Sequence, residues 1–270
     1  MIPELHTYHR VMVNSSGGKD SQTALRYVID LARMQDYPRD RIVVAHADLG
    51  RMEWDGTKDL AQQQAEHYGL RFLITERRDA GGKTESLLDY VRRRGKWPSS
   101  TTRFCTSDFK RGPCGRLLTQ LDREARTDRK QHIYILNVFG FRAEESTARA
   151  KRKVFDTNLR SSTTTRTVDD WLPIHSWTEE QVWASIRSSG VAYHPAYDLG
   201  MPRLSCSFCI FAPRPALLIA GKARPELLQE YVDLEREIGH DFQHNKPIRE
   251  IQEALARGEE PGQIDGNWNM

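Results

Sequence analysis

The sequence predicts an α/β protein with a doubly wound, mostly parallel sheet and a C-terminal helical region. Short apolar runs, typical of buried strands, alternate with amphipathic stretches, typical of helices, from residue 10 to about residue 141. Beyond about residue 176 only helical patterns occur. Alternating strands and helices indicate parallel strands joined by crossover helices. We therefore predict an α/β domain over residues 1–175 and a helical region over residues 176–270.

Apolar runs define four predicted strands, at residues 10–14, 41–48, 71–76 and 132–141. Helical spacing of apolar residues defines the predicted helices, at residues 20–34, 55–69, 85–95, 107–126, 178–189, 225–239 and 247–257. Gly69 and Gly95 end two of these helices. The helix within residues 107–126 is expected to begin only after Pro113.

The composition is that of a globular protein with a sizeable core: 270 residues, 38% hydrophobic, with a net charge of +3. This mild excess of positive charge permits a polyanionic partner but does not by itself indicate one. Without an apolar run of eighteen residues or an apolar signal core near the N-terminus, we expect a cytoplasmic protein with no membrane partner. The four cysteines, in a reducing compartment, are read as metal ligands or reactive groups: Cys105, Cys114, Cys206 and Cys209.

The corner between the first predicted strand and helix has the composition of an anion-binding loop. It comprises Ser15, Ser16, Gly17, Gly18, Lys19, Asp20 and Ser21. In a parallel sheet such a corner lies where ligands bind, and the helix N-terminus favours an anion. The two glycines allow the backbone to approach a ligand closely, and the lysine adds a positive charge. Phosphate is therefore the expected ligand. The loop is not the ATPase P-loop, because Val13 and Asp20 replace required residues of that pattern.

"SGGKDS" at residues 16–21 resembles the pyrophosphate loop of the adenine nucleotide alpha hydrolase superfamily, which cleaves ATP between the α and β phosphates. Five further segments, in the same order, resemble its phosphoadenylylsulfate reductase-like branch. They are "ADLG" (47–50), "TRFCTSDFKRGP" (102–113), "GFRAEES" (140–146), "LPIHSWTEEQVW" (172–183) and "HPAYDLGMPRLSCSFC" (194–209). Together the motifs span about residues 11–211.

This resemblance implies roles for matching residues. ATP, with Mg²⁺, would be bound by Ser15, Ser16, Gly17, Gly18, Lys19, Asp20, Ser21 and Asp48. Catalysis would involve Lys19, Asp20, Arg142 and Cys105. An arginine just past a strand end is also well placed to hold an anion through two hydrogen bonds. A surface ion pair between Arg142 and Glu144 or Glu145 is the alternative.

Three of the four cysteines fall within these motifs, and Cys114 directly follows the segment 102–113. Cys206 and Cys209 have the spacing of metal ligands. Four thiolates suit a 4Fe–4S cluster or structural zinc equally well by count, and unligated buried thiols are a third possibility. The resemblance favours the cluster, because relatives with this arrangement of cysteines carry out sulfur chemistry.

Reductases of this branch use a cysteine near the C-terminus, and no cysteine follows Cys209. The features look most like the ATP pyrophosphatase of bacterial DNA phosphorothioation systems. The implied reaction adenylates a DNA backbone phosphate, after which sulfur from a cysteine desulfurase displaces AMP; the expected partners are DNA, the desulfurase and other phosphorothioation proteins. The basic runs at residues 92–96 and 149–153 are either solvated faces or borders of a nucleic-acid groove. The alternatives are a sulfonucleotide reductase, a tRNA thiolase and a non-catalytic subunit that scaffolds a desulfurase.

Overall fold

The computed structural model describes residues 2–264, and its central element is a six-stranded sheet. The strands are β1 (Arg10–Asn14), β2 (Ile42–Ala47), β3 (Arg71–Thr75), β4 (Ile133–Val138), β5 (Phe155–Thr157) and β6 (Arg166–Trp171). They lie in the order β3-β2-β1-β4-β6-β5, and only β5, at one edge, is antiparallel to its neighbour. The predicted α/β class and mostly parallel sheet are confirmed.

Helices connect and follow these strands. They are α1 (Lys19–Met34), α2 (Thr57–His67), α3 (Leu87–Arg94), α4 (Phe104–Thr106), α5 (Gly112–Ala125), α6 (Thr147–Ala150), α7 (Glu179–Ser189), α8 (Arg214–Ala223), α9 (Pro225–Ile238) and α10 (Arg249–Ala256). The last residues of the predicted helical region, 265–270, lie outside the described residues.

The strand pattern explains why the sheet is covered on both faces. Successive side chains of a strand point to opposite faces. In β1, Val11 and Val13 pack in one core cluster with α1 and α2, whereas Met12 packs in another with α5. All three side chains are fully buried. A strand that is apolar on both faces is the signature of a doubly wound sheet.

The described chain divides into two compact units that are interleaved along the sequence. Unit 1 contains the sheet and comprises residues up to 47, 56–75 and 112–194. Unit 2 comprises residues 48–55, 76–111 and those from 195 onward, with its own core around Trp97, Phe208 and Tyr231. The sequence pattern suggested a single boundary after residue 175, whereas each compact unit consists of three separate stretches of the chain.

Helical structure around Pro113 begins earlier than predicted. Helix α4 starts at Phe104, a π-helical segment follows at Ser107–Arg111, and α5 begins at Gly112. Pro113 therefore lies in the first turn of α5, directly after the π-helical segment. This position suits proline, because its missing N–H falls where the hydrogen-bond register changes.

Two strands and three helices were not predicted from the sequence: β5, β6, α4, α6 and α8. No helix among residues 2–264 combines the length and the apolar composition that crossing a membrane requires.

Candidate functional site

The glycine-rich loop lies at the topological switch point of the sheet. Strands β2 and β3 follow β1 on one side, whereas β4 pairs with β1 on the other, so the loop after β1 stands at the carboxyl ends of two neighbouring strands. In open α/β sheets this is where ligands bind. The sequence pattern therefore placed the predicted nucleotide loop at the correct end of the sheet.

Close packing holds this loop in shape. Gly17 has a φ of +70°, and a Cβ atom there would stand 2.9 Å from the carbonyl oxygen of Thr57. A Cβ atom on Gly140, in the loop after β4, would stand 2.5 Å from the carbonyl oxygen of Asp20. Both glycines therefore permit backbone approaches that any other residue would obstruct. Thr57 is also bonded to His194 at 3.2 Å, a support for the loop that the sequence did not reveal.

The three loop hydroxyls differ in their surroundings. The hydroxyl of Ser21 donates to the carbonyl of Gly18 at 2.9 Å and accepts from the amide of Ser16 at 3.2 Å. Ser15 accepts from the amide of Gly17 at 3.2 Å. Ser15 and Ser21 are buried and Ser16 is exposed. Two of the three predicted phosphate-binding hydroxyls thus shape the loop itself.

Helix α1 begins with Gly18 as its N-cap, and no side chain caps it. A helix N-terminus without a side-chain cap at the end of a strand is well suited to bind an anion, because first-turn amides and the helix dipole act together. The predicted phosphate-binding residues therefore lie at the start of a sixteen-residue helix.

Arg142 is the most deeply buried charged group of this site. Its side chain is 0% exposed; Nε donates to Asp20 Oδ1 at 2.6 Å, and Nη1 donates to Glu144 Oε2 at 2.7 Å. Burial opposes the charge, but Asp20, Glu144 and Glu145 outweigh it and raise the pKa of Arg142. Its Nη2 atom is buried and has no hydrogen-bond partner in the described part of the chain. A buried donor without a partner is costly, and an anionic ligand would satisfy it.

Lys19 lies between two carboxylates. Its Nζ atom is 3.7 Å from Asp20 Oδ2 and 3.5 Å from Glu179 Oε1, and its side chain is only 1% exposed. Glu144 connects the two halves of this network, because it also accepts from the backbone amide of Glu179 at 3.0 Å. The structure thus brings together the predicted Lys19, Asp20 and Arg142. It adds Glu144, which the sequence suggested only as an ion-pair partner, and Glu179, which was not predicted.

These carboxylates belong to the ligand class that Mg²⁺ prefers. Asp20, Glu144 and Glu179 supply oxygen atoms beside the loop, and Mg²⁺ is commonly held by one or two carboxylates together with substrate phosphates. The residues present therefore fit the ion that is expected to accompany ATP.

Asp48, the remaining predicted nucleotide-binding residue, directly follows β2 and belongs to unit 2. Its Oδ1 atom accepts a hydrogen bond from the amide of Gly50 at 2.6 Å. The carboxylate therefore shapes the turn after β2.

Three of the four cysteines belong to unit 2, and all three affect the pKa of Lys110. Cys105 lies on α4, Cys206 and Cys209 lie in the segment before α8, and all three pack against the same core. Burial raises the pKa of Cys206 to about 12, although Lys110 partly offsets this effect. Burial also raises the pKa of Cys209. Cys114 belongs to unit 1, in the first turn of α5, and all four cysteines are free of disulfides.

Lys110 carries its charge in this apolar setting. Burial acts to lower its pKa, but Cys206, Glu53, Cys105 and Cys209 act in the opposite direction and leave the pKa raised. A lysine held among sulfur atoms would compensate the negative charge of thiolates. Lys110 and these three cysteines therefore suit a metal centre bound by thiolates. The described residues do not bring all four cysteines together into such a centre.

Each of the two basic runs has two residues paired with carboxylates. Arg92 binds Asp89 and Glu237, and Arg93 binds Glu85. In the second run, Arg149 is paired with Glu145 and Lys153 with Asp156. Half of the eight basic residues that suggested a nucleic-acid groove are therefore paired with carboxylates.

Comparison with known proteins identifies the family. The phosphoadenosine phosphosulfate reductase domain matches residues 10–212. The chain is 29% identical over 162 residues to adenosine 5′-phosphosulfate reductase of Allochromatium vinosum, covering 60% of this chain and 56% of that enzyme. It is 25% identical over 233 residues to protein MJ0973 of Methanocaldococcus jannaschii, covering 86% of this chain and 49% of that protein.

Among solved structures, phosphoadenylyl-sulfate reductase from Candida auris, in a phosphate complex, is similar with a TM-score of 0.49 and 16% identity. That similarity covers 75% of this chain and 83% of the other. The chain spans about half the length of the curated relatives it matches. The family match covers most of the chain and includes both the loop at the switch point and the cysteines. The chain therefore belongs to the phosphoadenosine phosphosulfate reductase domain family.

Proposed function

We propose that the protein is an ATP pyrophosphatase that adenylates a DNA backbone phosphate for the insertion of sulfur. The observation that carries the nucleotide part is the buried Nη2 atom of Arg142, which lacks a partner in the described chain and lies beside a glycine-rich helix N-terminus. An anion with several oxygens would satisfy Arg142 and the helix N-terminus together. ATP is the anion that the loop "SGGKDS" favours.

The residues of unit 1 would act as follows. Lys19 and the first-turn amides of α1 would bind the β and γ phosphates and stabilise the charge that develops on departing pyrophosphate. A non-bridging oxygen of the DNA phosphate would attack the α-phosphorus, forming a phosphoanhydride to AMP and releasing pyrophosphate. Arg142 would stabilise the charge on the α-phosphate, because its guanidinium keeps one donor for a ligand while Asp20 and Glu144 fix the others. Mg²⁺, held by the neighbouring carboxylates, would neutralise charge on the leaving group.

Sulfur would then replace AMP. A cysteine desulfurase would provide it as a persulfide, whose terminal sulfur displaces AMP from phosphorus. A second thiol would release the product by reducing the remaining S–S bond, which leaves a disulfide. We place these steps in the cytoplasm, with the other proteins of a phosphorothioation system as partners.

We further propose that the cysteines bind a 4Fe–4S cluster. Cys105, Cys206 and Cys209 pack against one core, and all three act to raise the pKa of Lys110, which supports a shared thiolate site. When bound, such a cluster supplies one-electron chemistry or a binding site for sulfur.

Reduction of a sulfonucleotide is the second candidate, and the identity to adenosine 5′-phosphosulfate reductase favours it. The two functions differ in their products. An ATP pyrophosphatase releases AMP or an adenylated acceptor together with pyrophosphate, whereas a reductase consumes no ATP and releases sulfite. The same loop and Arg142 would bind the phosphosulfate group in the second case.

The test is a product analysis with α-labelled ATP, duplex DNA, Mg²⁺, a cysteine desulfurase and a thiol reductant. We expect labelled AMP, unlabelled pyrophosphate and, after nuclease digestion, phosphorothioate dinucleotides. Lys19→Ala should slow pyrophosphate release about a hundredfold, as removal of comparable electrostatic donors does. Lys153→Ala, which removes an exposed lysine paired with Asp156, is the matched control. Release of ADP and orthophosphate, or of sulfite from adenosine 5′-phosphosulfate without any use of ATP, would contradict the proposal.

A further inference from the structure

Unit 2 contains a polar pocket that neither the nucleotide loop nor the cysteines account for. Its volume is about 480 Å³, and three arginines line it: Arg94 at the end of α3, Arg103 directly before α4, and Arg111 at the end of the π-helical segment. Hydroxyl side chains from Ser100 to Ser107 complete much of the wall. The pocket is therefore rich in hydrogen-bond donors.

The three arginines differ from their neighbours in their pairing. Arg92 and Arg93, in the same run as Arg94, are bound to carboxylates. Neither Arg94, Arg103 nor Arg111 forms an ion pair with any residue in the part of the chain that the structure describes. Three arginines of unit 2 that form no ion pair in the described part of the chain thus line the same pocket.

Aromatic rings position two of these guanidinium groups. Arg94 lies 4.8 Å from the centre of the Phe104 ring, and Arg103 lies 4.6 Å from that of Phe211. Stacking occupies the face of a guanidinium and leaves its hydrogen-bonding edge for an oxygen acceptor. The arrangement orients the arginines without neutralising them.

The pocket contains one carboxylate, Asp108, and the protein holds it in place. Its oxygens accept hydrogen bonds from Tyr90 at 2.7 Å and from Ser107 at 2.6 Å. Burial acts to raise the pKa of Asp108, but these hydrogen bonds and the charges of Arg77 and Arg94 lower it overall, so the carboxylate is ionised at neutral pH. Three guanidinium groups against one carboxylate leave the pocket with two net positive charges.

We propose that this pocket binds two successive phosphates of a nucleic-acid backbone. The inference rests on the proposed function for its choice of DNA as the source of the phosphates. A mononucleotide is the other source of the same chemistry, but small-molecule sites are mostly apolar. Here Phe104 is the one apolar residue of the lining, and the remaining groups suit phosphate oxygens without reading bases.

The test measures binding of a fluorescein-labelled DNA duplex by anisotropy at a series of salt concentrations. We expect Arg94→Ala with Arg111→Ala to weaken binding at low salt and to reduce the slope of log affinity against log salt by about two, one for each lost phosphate contact. Arg92→Ala with Arg93→Ala removes the same charge from the same region and should leave the slope nearly unchanged, because those arginines are already paired.

Arg111→Glu provides a variant with little risk to folding, because Arg111 is exposed. It should weaken DNA binding more than Arg111→Ala while the thermal midpoint stays the same. Equal slopes for the two double variants would overturn the proposal. So would a double variant of Arg94 and Arg111 that binds DNA normally but no longer binds adenosine 5′-phosphosulfate. Normal DNA binding without phosphorothioate formation would instead reject the proposed function and leave this pocket supported.

Discussion

Arg142 joins the loop after β4 to the nucleotide loop through its guanidinium. Arg142→Lys keeps the positive charge but cannot bind Asp20, Glu144 and a ligand at the same time. Loss of one charge-assisted hydrogen bond corresponds to about 1.5–3 kcal/mol, so we expect ATP to bind roughly ten- to a hundredfold more weakly. Calorimetric titration with ATP measures this change. Arg152→Lys, at an arginine near Phe141, is the control, and unchanged affinity in Arg142→Lys would show that its Nη2 atom does not face the nucleotide.

The sequence predicted Arg142 from its position directly after a strand. It did not reveal the neighbouring Glu179, because only the tertiary packing brings that residue to the site. An arginine immediately after an apolar strand falls at the ligand-binding edge of a parallel sheet, whatever surrounds it. Glu179 lies thirty-seven positions further along the chain and reaches Lys19 only because α7 packs against α1. Nothing in the local pattern of "TEEQ" distinguishes this glutamate from an ordinary first-turn acid of a capped helix.

At the scale of elements, the loop after β4 lies close to the start of α1. The importance of this contact can be tested by adding a single methyl group with Gly140→Ala. Gly140→Ala would place Cβ 2.5 Å from a backbone oxygen that cannot move without displacing the nucleotide loop. We expect a marked loss of ATP affinity and a lower thermal midpoint. Gly115→Ala is the matched control, because a Cβ atom there would have no neighbour within 4 Å and alanine favours a helix by about 0.5–1 kcal/mol. Similar ATP affinity in both variants would refute the role of this contact.

Strand β6 shows why part of the sheet escaped prediction. Its sequence includes two adjacent carboxylates, Asp169 and Asp170, which an apolar-run criterion rejects. Both are satisfied by partners from other elements: Asp169 accepts from Tyr8 at 2.9 Å, and Asp170 accepts from Asn137 at 2.7 Å. The central strands β1, β2 and β4 were predicted because they bury apolar side chains on both faces, whereas β6 depends on hydrogen bonds that only the fold creates.

The segment that carries Cys206 should be unreactive in metal-free protein near neutral pH. Thiolate is the reactive form, and a pKa of about 12 instead of 9.0 lowers its fraction at pH 8 about a thousandfold. Because the raised pKa keeps the thiol protonated, alkylation should accelerate about tenfold for each pH unit as the pH rises towards 12. Mass spectrometry after timed iodoacetamide treatment measures the rate, with glutathione as the reference thiol and Cys206→Ser to identify the peptide. A rate at pH 8 equal to that of glutathione would contradict the burial of this sulfur.

At the scale of the whole molecule, the two kinds of predicted chemistry lie in separate compact units. Unit 1 contains the anion-binding loop, and unit 2 contains three of the cysteines. The sequence predicted both sets of residues because each lies in a short motif, but it suggested one boundary after residue 175. Each unit is built from three separate stretches of chain. Local composition does not reveal such units, because the chain passes from one unit to the other without a linker-like segment.

The metal content of the whole chain is the last prediction. Protein purified without oxygen should be brown and contain about four iron and four sulfide ions per chain. Each of Cys105→Ser, Cys206→Ser and Cys209→Ser should lose most of its iron, because all three thiols act on the charge of Lys110, and a buried ammonium compensates bound thiolates. Ser205→Ala, which changes the neighbour of Cys206 without removing a thiol, should retain iron. Cys114→Ser decides whether the fourth cysteine is also a ligand. One zinc ion per chain and no iron after anaerobic expression would contradict the cluster and indicate a structural zinc site instead.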